Sequence, residues 1–465
     1  MRALTISGFI LTLVALTASA ADAQEPQRRR YLPDSSDEDW SFLKEAPKTD
    51  VWDPLKYIPF GRDGWFMTLS GEVRYRAEGL RIRATDQRPA TIDDYLLQRY
   101  LTGADVHFGP HARFFTEVQS GLINGAVRTA RPTDRNTIDT HQAFFEWQQT
   151  VRPRHRITAK VGRQELAIGS TRLISASPGL NVKRSFDGAS LSYRAGSWAI
   201  VGVAARLVAL SGGAFDDAWN SGQHFWGAAA GGRSPRFERG ELGAYYLGTS
   251  RAEPTVYFQG SGAERRHTVG IKWSGTGSRF DLNYDAIYQW GTFGSAPIRA
   301  WGVATETGYR VPGVRWRPRV SLRTDFASGD RDPANPELDS FNPLFPGNSY
   351  SGAVGLFGPT NLTDLTAAVT FAPRSNLTIG FEAPSYWRTS THDGVYATDL
   401  RLLVPPTIGE GKYVGTNPSV LAVWQPTRHV QLQGVITRFI SGQFLEDSFV
   451  SSGFGFYSGT VVYRF

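Results

Sequence analysis

Most of the chemistry this chain can offer is that of arginine. Of its 50 basic residues only seven are lysine, which leaves 43 arginines. A guanidinium forms planar, bidentate bonds to carboxylates and sulfates that an ammonium cannot form. GC-rich coding would produce the same bias without any function behind it. The spread along the chain is uneven. Residues 24–240 hold 30 basic against 24 acidic residues, and residues 241–465 hold 19 against 18. The basic excess therefore sits in the first half.

Other chemistries have little to work with. The eight histidines are scattered, and no H-E-x-x-H, G-x-S-x-G, phosphate-binding or dinucleotide-binding glycine motif occurs. Cysteine is absent, which excludes disulfides, Cys-based zinc sites and thiol nucleophiles. Asp281 and Asp285 offer a pair of carboxylates, the groups a glycosidase uses. They read better as solvated neighbours on one polar strand face. A Ser–His hydrolase on adjacent strands is not demanded by anything in the sequence. Basic patches among aromatics suit nucleic acid, but here carboxylates are mixed with the arginines, so no nucleic-acid partner is expected. No cofactor is expected either. The cluster Ser328-Gly329-Asp330-Arg331-Asp332-Pro333 reads as a solvated turn-forming loop, with oxygen ligation of Ca²⁺ as the alternative.

The elements that must position these side chains are strands. Met1-Arg2, an apolar run over Leu4–Ala18 and the exits Ala18-Ser19-Ala20 and Ala21-Asp22-Ala23 mark residues 1–23 as a secretory signal peptide, with a single membrane anchor as the alternative. Beyond it the longest nearly apolar run is Trp198–Leu210, broken by Arg206, well short of the ~20 residues of a spanning helix. The mature chain is thus soluble or crosses a membrane as strands. Residues 24–64 are polar and read as a loose periplasmic lead-in that tightens at Trp52-Asp53-Pro54-Leu55-Lys56-Tyr57. From Trp65 onward the sequence alternates with period two. Phe280, Leu282, Tyr284, Ala286, Tyr288 and Trp290 share one face, and Asp281, Asn283, Asp285, Ile287 and Gln289 the other. Phase slips at glycines such as Gly79 suggest bulges.

This pattern predicts an all-β fold, a transmembrane antiparallel β-barrel of about 18 strands over residues 65–465. Connections alternate short (109–111, 150–156, 195–197) and long (122–138, 169–185, 211–223, 328–361, 384–412), as periplasmic turns and extracellular loops do. One stretch, 230–240, is long where a short turn is due. Short turns leave little material for a periplasmic plug, although the outer loops are long enough to fold inward. The terminal strand, Gly453–Phe465, places Phe465, Tyr463, Val461, Gly459 and Tyr457 on one face. An aromatic carboxy-terminal residue suits barrel closure and recognition by the β-barrel assembly machinery. Outer-membrane lipid is the expected surrounding.

Several stretches resemble the alginate export family of Gram-negative outer-membrane proteins. They are DPLKYIP (53–59) running into LSGEVRYR (69–76), LQRYLTGADVHFGPHARFFTEVQSG (97–121), VGRQELAIGSTRLISASPGLNVKRSFDGASL (161–191), SGDRDPANPELDSFNPLFP (328–346), GPTNLTDL (358–365) and YWRTSTHDGVY (386–396). The resemblance implies an 18-stranded outer-membrane channel, not an enzyme, whose Arg-rich lumen conducts a polyuronate. Within the matched stretches Arg74, Arg76, Arg99, Arg113, Arg163, Arg172, Arg184 and Arg388 are the anion-path candidates. For each, an interior ion pair to a neighbour such as Glu72, Glu117 or Asp187 is the alternative. The polar faces also carry Glu117, Glu146, Asp281, Asp285, Asp325, Asp364 and Glu382, so the expected lumen is mixed, with a basic wall facing an acidic one as in general porins. A general anion-preferring porin or efflux channel is the neighbouring reading. A secreted soluble β-protein, such as a lectin or polysaccharide lyase, is the reading from another class.

Overall fold

A computed structural model describes residues 29–82, 90–168, 172–233, 239–347, 355–408, 410–447 and 453–465. The signal peptide expected over residues 1–23 lies outside the described residues. The chain forms a closed antiparallel barrel of 18 strands. In chain order these are β1 (Trp65–Ile82), β2 (Thr91–Phe108), β3 (Ala112–Asn124), β4 (Asn136–Arg152), β5 (His155–Gln164), β6 (Phe186–Ala195), β7 (Trp198–Ala209), β8 (Gln223–Arg233) and β9 (Arg239–Tyr257). The second half continues with β10 (Gly260–Thr276), β11 (Phe280–Phe293), β12 (Ala296–Arg310), β13 (Arg319–Ala327), β14 (Leu362–Arg374), β15 (Leu377–Arg388), β16 (Ser419–Trp424), β17 (Val430–Ser441) and β18 (Phe454–Arg464). The first and last strands pair from Glu72 opposite Arg464 to Ile82 opposite Phe454, so the sheet has no open edge.

Alternation sorts the side chains. On β11, Asp285, Ile287 and Gln289 are buried inside, while Ala286, Tyr288 and Trp290 are exposed outside. The outer wall carries exposed Val161, Leu191, Ile200, Ile271 and Leu322 on strands from around the barrel. Apolar exposure on this scale suits lipid and not water, which separates the molecule from the soluble β-protein alternative. No described helix is long and apolar enough to cross a membrane.

Both ends of the barrel strands are legible from the connections. The end carrying Phe465 has tight turns, among them 109–111, 153–154, 196–197 and 277–279. The opposite end carries the loops 165–185, 210–222 and 328–361. Two connections at that loop end, 258–259 and 294–295, are tight as well, because β9 to β12 are long strands that use up the chain in pairing. The stretch 230–240 is not a long turn. Strand β8 runs to Arg233 and β9 starts at Arg239, and the five residues between lie outside the described ones.

Gly79 is not a bulge. Both of its strand pairings run through it in register, and a Cβ there would meet the Tyr457 ring at 2.2 Å. The phase slip read in the sequence marks a ring lying over the glycine. Gly71 does the same for the chain end, since a Cβ would meet Phe465 at 2.3 Å. Phe465 and Gly71 also exchange backbone hydrogen bonds, and Trp52 stacks on the Phe465 ring at 4.2 Å. Phe465 thus joins β1, β18 and the lead-in at one point. Deleting it is expected to remove most folded barrel from the outer membrane, measured as the heat-modifiable band. Normal yield would mean that the strand closes without it.

Candidate functional site in the filled lumen

The barrel interior is occupied from both ends. Residues 29–64 of the lead-in are structured and enter at the turn end. Its rim contacts are Trp52 Nε1 donating to Tyr463 OH at 2.6 Å and Asp50 Oδ2 with His429 Nε2 at 2.9 Å. Within the segment Arg29 pairs with Asp53 at 2.9 Å, and Tyr31, Trp40, Leu43 and Tyr57 pack against Phe66 of β1. Lys56 is fully buried, between Glu38 at 3.4 Å and the rings of Tyr31 and Trp40. Inner-face residues then grip the segment. Gln142 donates to Asp34 at 3.0 Å, Ser35 donates to Glu117 at 3.1 Å, Ser70 to Ser35 at 3.1 Å, and Arg113 to Ser36 O at 2.8 Å. The expectation of a loose lead-in, with little material for a periplasmic plug, is therefore corrected. The plug comes from the chain terminus, where short turns set no limit on material.

From the loop end, residues 172–185 descend to meet it. Lys183, fully buried, donates to Pro33 O at 3.0 Å and pairs with Glu165. His141 Nε2 lies 2.9 Å from Glu165 and 3.9 Å from Glu117. A bulge between Glu117 and Val118 sets both His141 and Gln142 inside the wall. Burial pushes the Glu165 carboxyl up to about 7, against the pull of Lys183. For Lys183 burial opposes the charge, but Glu165, Glu117 and Asp34 together hold its ammonium above the ordinary value. Ligand atoms of Glu117, His141 and Glu165 lie within 4.8 Å of one another, a metal-like set. Lys183 already supplies the cation there. A second such set, Asp139, Asp216 and Asp217, is taken up by hydrogen bonds from Asn136, Ser211, Gly213 and the Asp217 backbone.

Loop 165–185 is in turn stitched to loop 328–361. Ile174 bridges Phe345, Ser175 N donates to Phe345 O at 3.0 Å, and Phe345 N donates to Leu173 O at 2.8 Å. Phe345 packs edge-on against Phe186 and Phe225. The largest buried apolar cluster thus lies inside the barrel where these loops meet the wall. The cluster starting at Ser328 is not a solvated turn at its base. Asp330 is fully buried, its N–H donates to Asp393 at 3.0 Å, and burial pushes its carboxyl up to about 6.

The candidate arginines have specific partners. Arg99 donates to Glu72 through Nε at 2.8 Å, Arg113 to Glu146 at 3.0 Å and Asp105 at 2.9 Å, and Arg163 to Asp187 at 2.8 Å. Arg172 sits 4.0 Å from Asp325, and Arg76 lies 2.8 Å from Glu78. Arg388 donates to the carbonyls of Gly411 and Thr391 and lies over Phe444. Arg184 donates to the carbonyls of Ser175 and Pro346, and Arg74 to Pro178, Gly179, Leu180 and the Asn181 side chain. Among the described residues neither Arg74 nor Arg184 has a carboxylate within 4.0 Å. Asp281 pairs with Arg319 at 2.6 Å and Arg310 at 3.0 Å, Asp364 pairs with Arg323 at 3.0 Å, and Asp285 accepts from Tyr245 at 2.9 Å. Asp285, 2% exposed, is thus not the solvated lumen residue expected.

Sequence reasoning missed Lys183, His141 and Glu165, and the network of Tyr257, Glu264, Arg266 and Asn342 that ties loop 328–361 to β10. A lysine in a chain of seven was the one available signal. The pairing itself brings together residues far apart in sequence.

This architecture is that of an outer-membrane channel with inward-folded loops, and the chain belongs to the alginate export family, whose sequence profile matches residues 66–452. Solved structures agree in fold. A BenF-like porin from Pseudomonas fluorescens Pf-5 is 9% identical, covers 86% of this chain and 98% of its own, and superposes with a TM-score of 0.58. OccK2 (OpdF) of Pseudomonas aeruginosa, in complex with glucuronate, is 11% identical over 86% of this chain and 96% of its own, with a TM-score of 0.55. OpdK of the same organism, with vanillate, is 11% identical over 85% and 98%, also at 0.55. No curated protein matches the sequence.

Proposed function

We propose that this protein sits in the outer membrane and passively conducts carboxylate-bearing saccharides, an alginate-like polyuronate or smaller acidic solutes. The observation that carries the reading is the pair Arg74 and Arg184. These are interior guanidinium groups of a channel-family barrel that are held by carbonyl oxygens and, among the described residues, have no carboxylate within 4.0 Å. A charge so placed attracts anions strongly, because the low-dielectric wall focuses its field. The family supports a polymer as cargo. The OccK2 structure is a complex with glucuronate and the OpdK structure one with vanillate, both monomeric carboxylates, which supports the small-solute form of the same reading.

Reversal potentials in planar bilayers test it. The wild-type channel should favour anions, more so at low salt, since the Debye length falls to ~3 Å at 1 M. Replacing both Arg74 and Arg184 by Gln should shift selectivity toward cations and weaken polyuronate block of the current. A wild-type channel that prefers cations, under the control of Asp281 and Asp285, would sink the proposal.

A further inference from the structure

Pro178, Gly179 and Leu180 form the tip of the loop that descends into the lumen. Their backbone carbonyls point at three guanidinium groups on the facing wall. Arg74 donates to Pro178 O at 3.2 Å, Gly179 O at 3.4 Å and Leu180 O at 2.7 Å. Arg76 keeps its Nε 2.8 Å from Glu78 and gives Nη1 to Gly179 O at 2.7 Å. Arg99 commits Nε and Nη2 to Glu72 and gives Nη1 to Pro178 O and Leu180 O, both at 2.9 Å. Three convergent guanidinium groups thus close on a row of neutral oxygens. Asn181 holds the tip in the same cluster, accepting from Arg74 Nη2 at 3.1 Å and donating to Gln98 O, Leu122 O and Asp134 O.

The fit is incomplete. Arg74 is 4% exposed, and its Nε, a donor in the middle of this cluster, has no acceptor among the described residues. Neutral carbonyls are also the weaker partners for a guanidinium, since a charged acceptor makes bonds about twice as strong. A carboxylate would present two charged oxygens to the same fork, in the geometry that arginine binds bidentately.

We infer that Arg74, Arg76 and Arg99 form a carboxylate-binding site which the loop tip Pro178–Leu180 occupies in the resting protein as an internal substitute ligand. The inference rests on the anion-channel reading above and deepens it, by placing the first capture of a uronate carboxylate at these residues. Binding and loop displacement are then one event. The tip holds its place as an intramolecular competitor, so a single carboxylate displaces it only at high concentration. A polyuronate, which presents many carboxylates on one chain, displaces it far more effectively. The device would admit acidic polymer and keep the lumen closed to neutral sugars.

The tip has its own reporters. Leu180 N–H donates to Ser177 O, and Val182 N–H to Thr133 O, both at 3.0 Å. Amide hydrogen exchange of the whole protein in detergent reads whether these bonds open. Sodium glucuronate, an oligoguluronate, glucose and sodium chloride are compared at matched ionic strength. Exchange at Leu180 and Val182 should rise about tenfold with glucuronate and further with the oligomer. It should not rise with glucose or chloride. In Arg76→Gln, whose side chain is the most accessible of the three, the glucuronate response should shrink while the barrel stays heat-modifiable. Exchange that ignores glucuronate and the oligomer overturns the inference. So does an equal response to chloride, which would mean general screening. Anion selectivity of the same preparation is measured separately by reversal potential. An anion-selective channel with a glucuronate-insensitive tip would end this inference and leave the channel reading intact.

Discussion

Removing the lead-in from the lumen should open the barrel. Residues 29–46 can be deleted without touching the Trp52 stack on Phe465 or the Asp50–His429 contact at the rim. The deletion strips the groups held by Gln142, Ser70 and Arg113 on the inner wall. Single-channel conductance of this variant should exceed that of the full chain severalfold. A second variant guards against misfolding. The chain has no cysteine, and the hydroxyls of Ser35 and Ser70 lie 3.1 Å apart. Sulfur atoms placed there need to close to about 2.05 Å, a small adjustment. In the double variant Ser35→Cys, Ser70→Cys, oxidation should hold conductance and solute flux at their floor, and reduction should restore them. Equal currents in both redox states would show that the segment never leaves, and that solutes pass beside it.

Lys183→Met should cause the largest loss of stability. Its ammonium is the shared partner of Glu165, Glu117 and the plug carbonyl Pro33 O. Removing one member of a buried charge set costs about 3–5 kcal/mol, because the partners keep their charge without compensation. The pH dependence follows from the sign of the carboxyl shifts. Glu165 already sits at about 7 with Lys183 present, because burial opposes its charge. Without the lysine its folded value rises further. A carboxyl whose folded pKa is raised costs stability as pH climbs above its unfolded value, and the cost vanishes below that value. Urea unfolding of liposome-embedded barrel should therefore show a large deficit for Lys183→Met near pH 8, shrinking as pH falls through 7 toward about 5. A deficit independent of pH would assign the loss to packing. The plug amides should also exchange faster in this variant, since the Pro33 contact goes with the lysine.

The family and the barrel were legible because they are written in local order. Period two along each strand decides inside from outside, and no distant residue can reverse that choice. Phe280–Trp290 and the last strand behave as their alternation requires. Loop lengths gave the two ends of the barrel for the same reason, that a short connection can only be a hairpin. Misreadings arose where a side chain from another strand imposed the answer. Gly79 interrupts the pattern because Tyr457 needs the space. The stretch 230–240 looked like a loop because β8 is built of small residues, Gly227 to Gly232, whose partners on β7 and β9 supply the contacts.

The contents of the barrel were decided only by the tertiary structure. Sequence offered the arginines as a population, and nothing in their spacing told which would meet acids. Arg99 and Glu72 are 27 residues apart, Arg163 and Asp187 are 24 apart, and both become cross-strand neighbours through register alone. Arg74 meets a loop more than 100 residues away. The lead-in looked loose because it is polar, which is what a segment destined for a polar lumen must be. An interior lined with Glu117, Gln142 and Arg113 rewards polarity where an ordinary core would reject it. Hydropathy therefore cannot separate a solvated tail from a plug, and the closed ring of strands around it settles the matter.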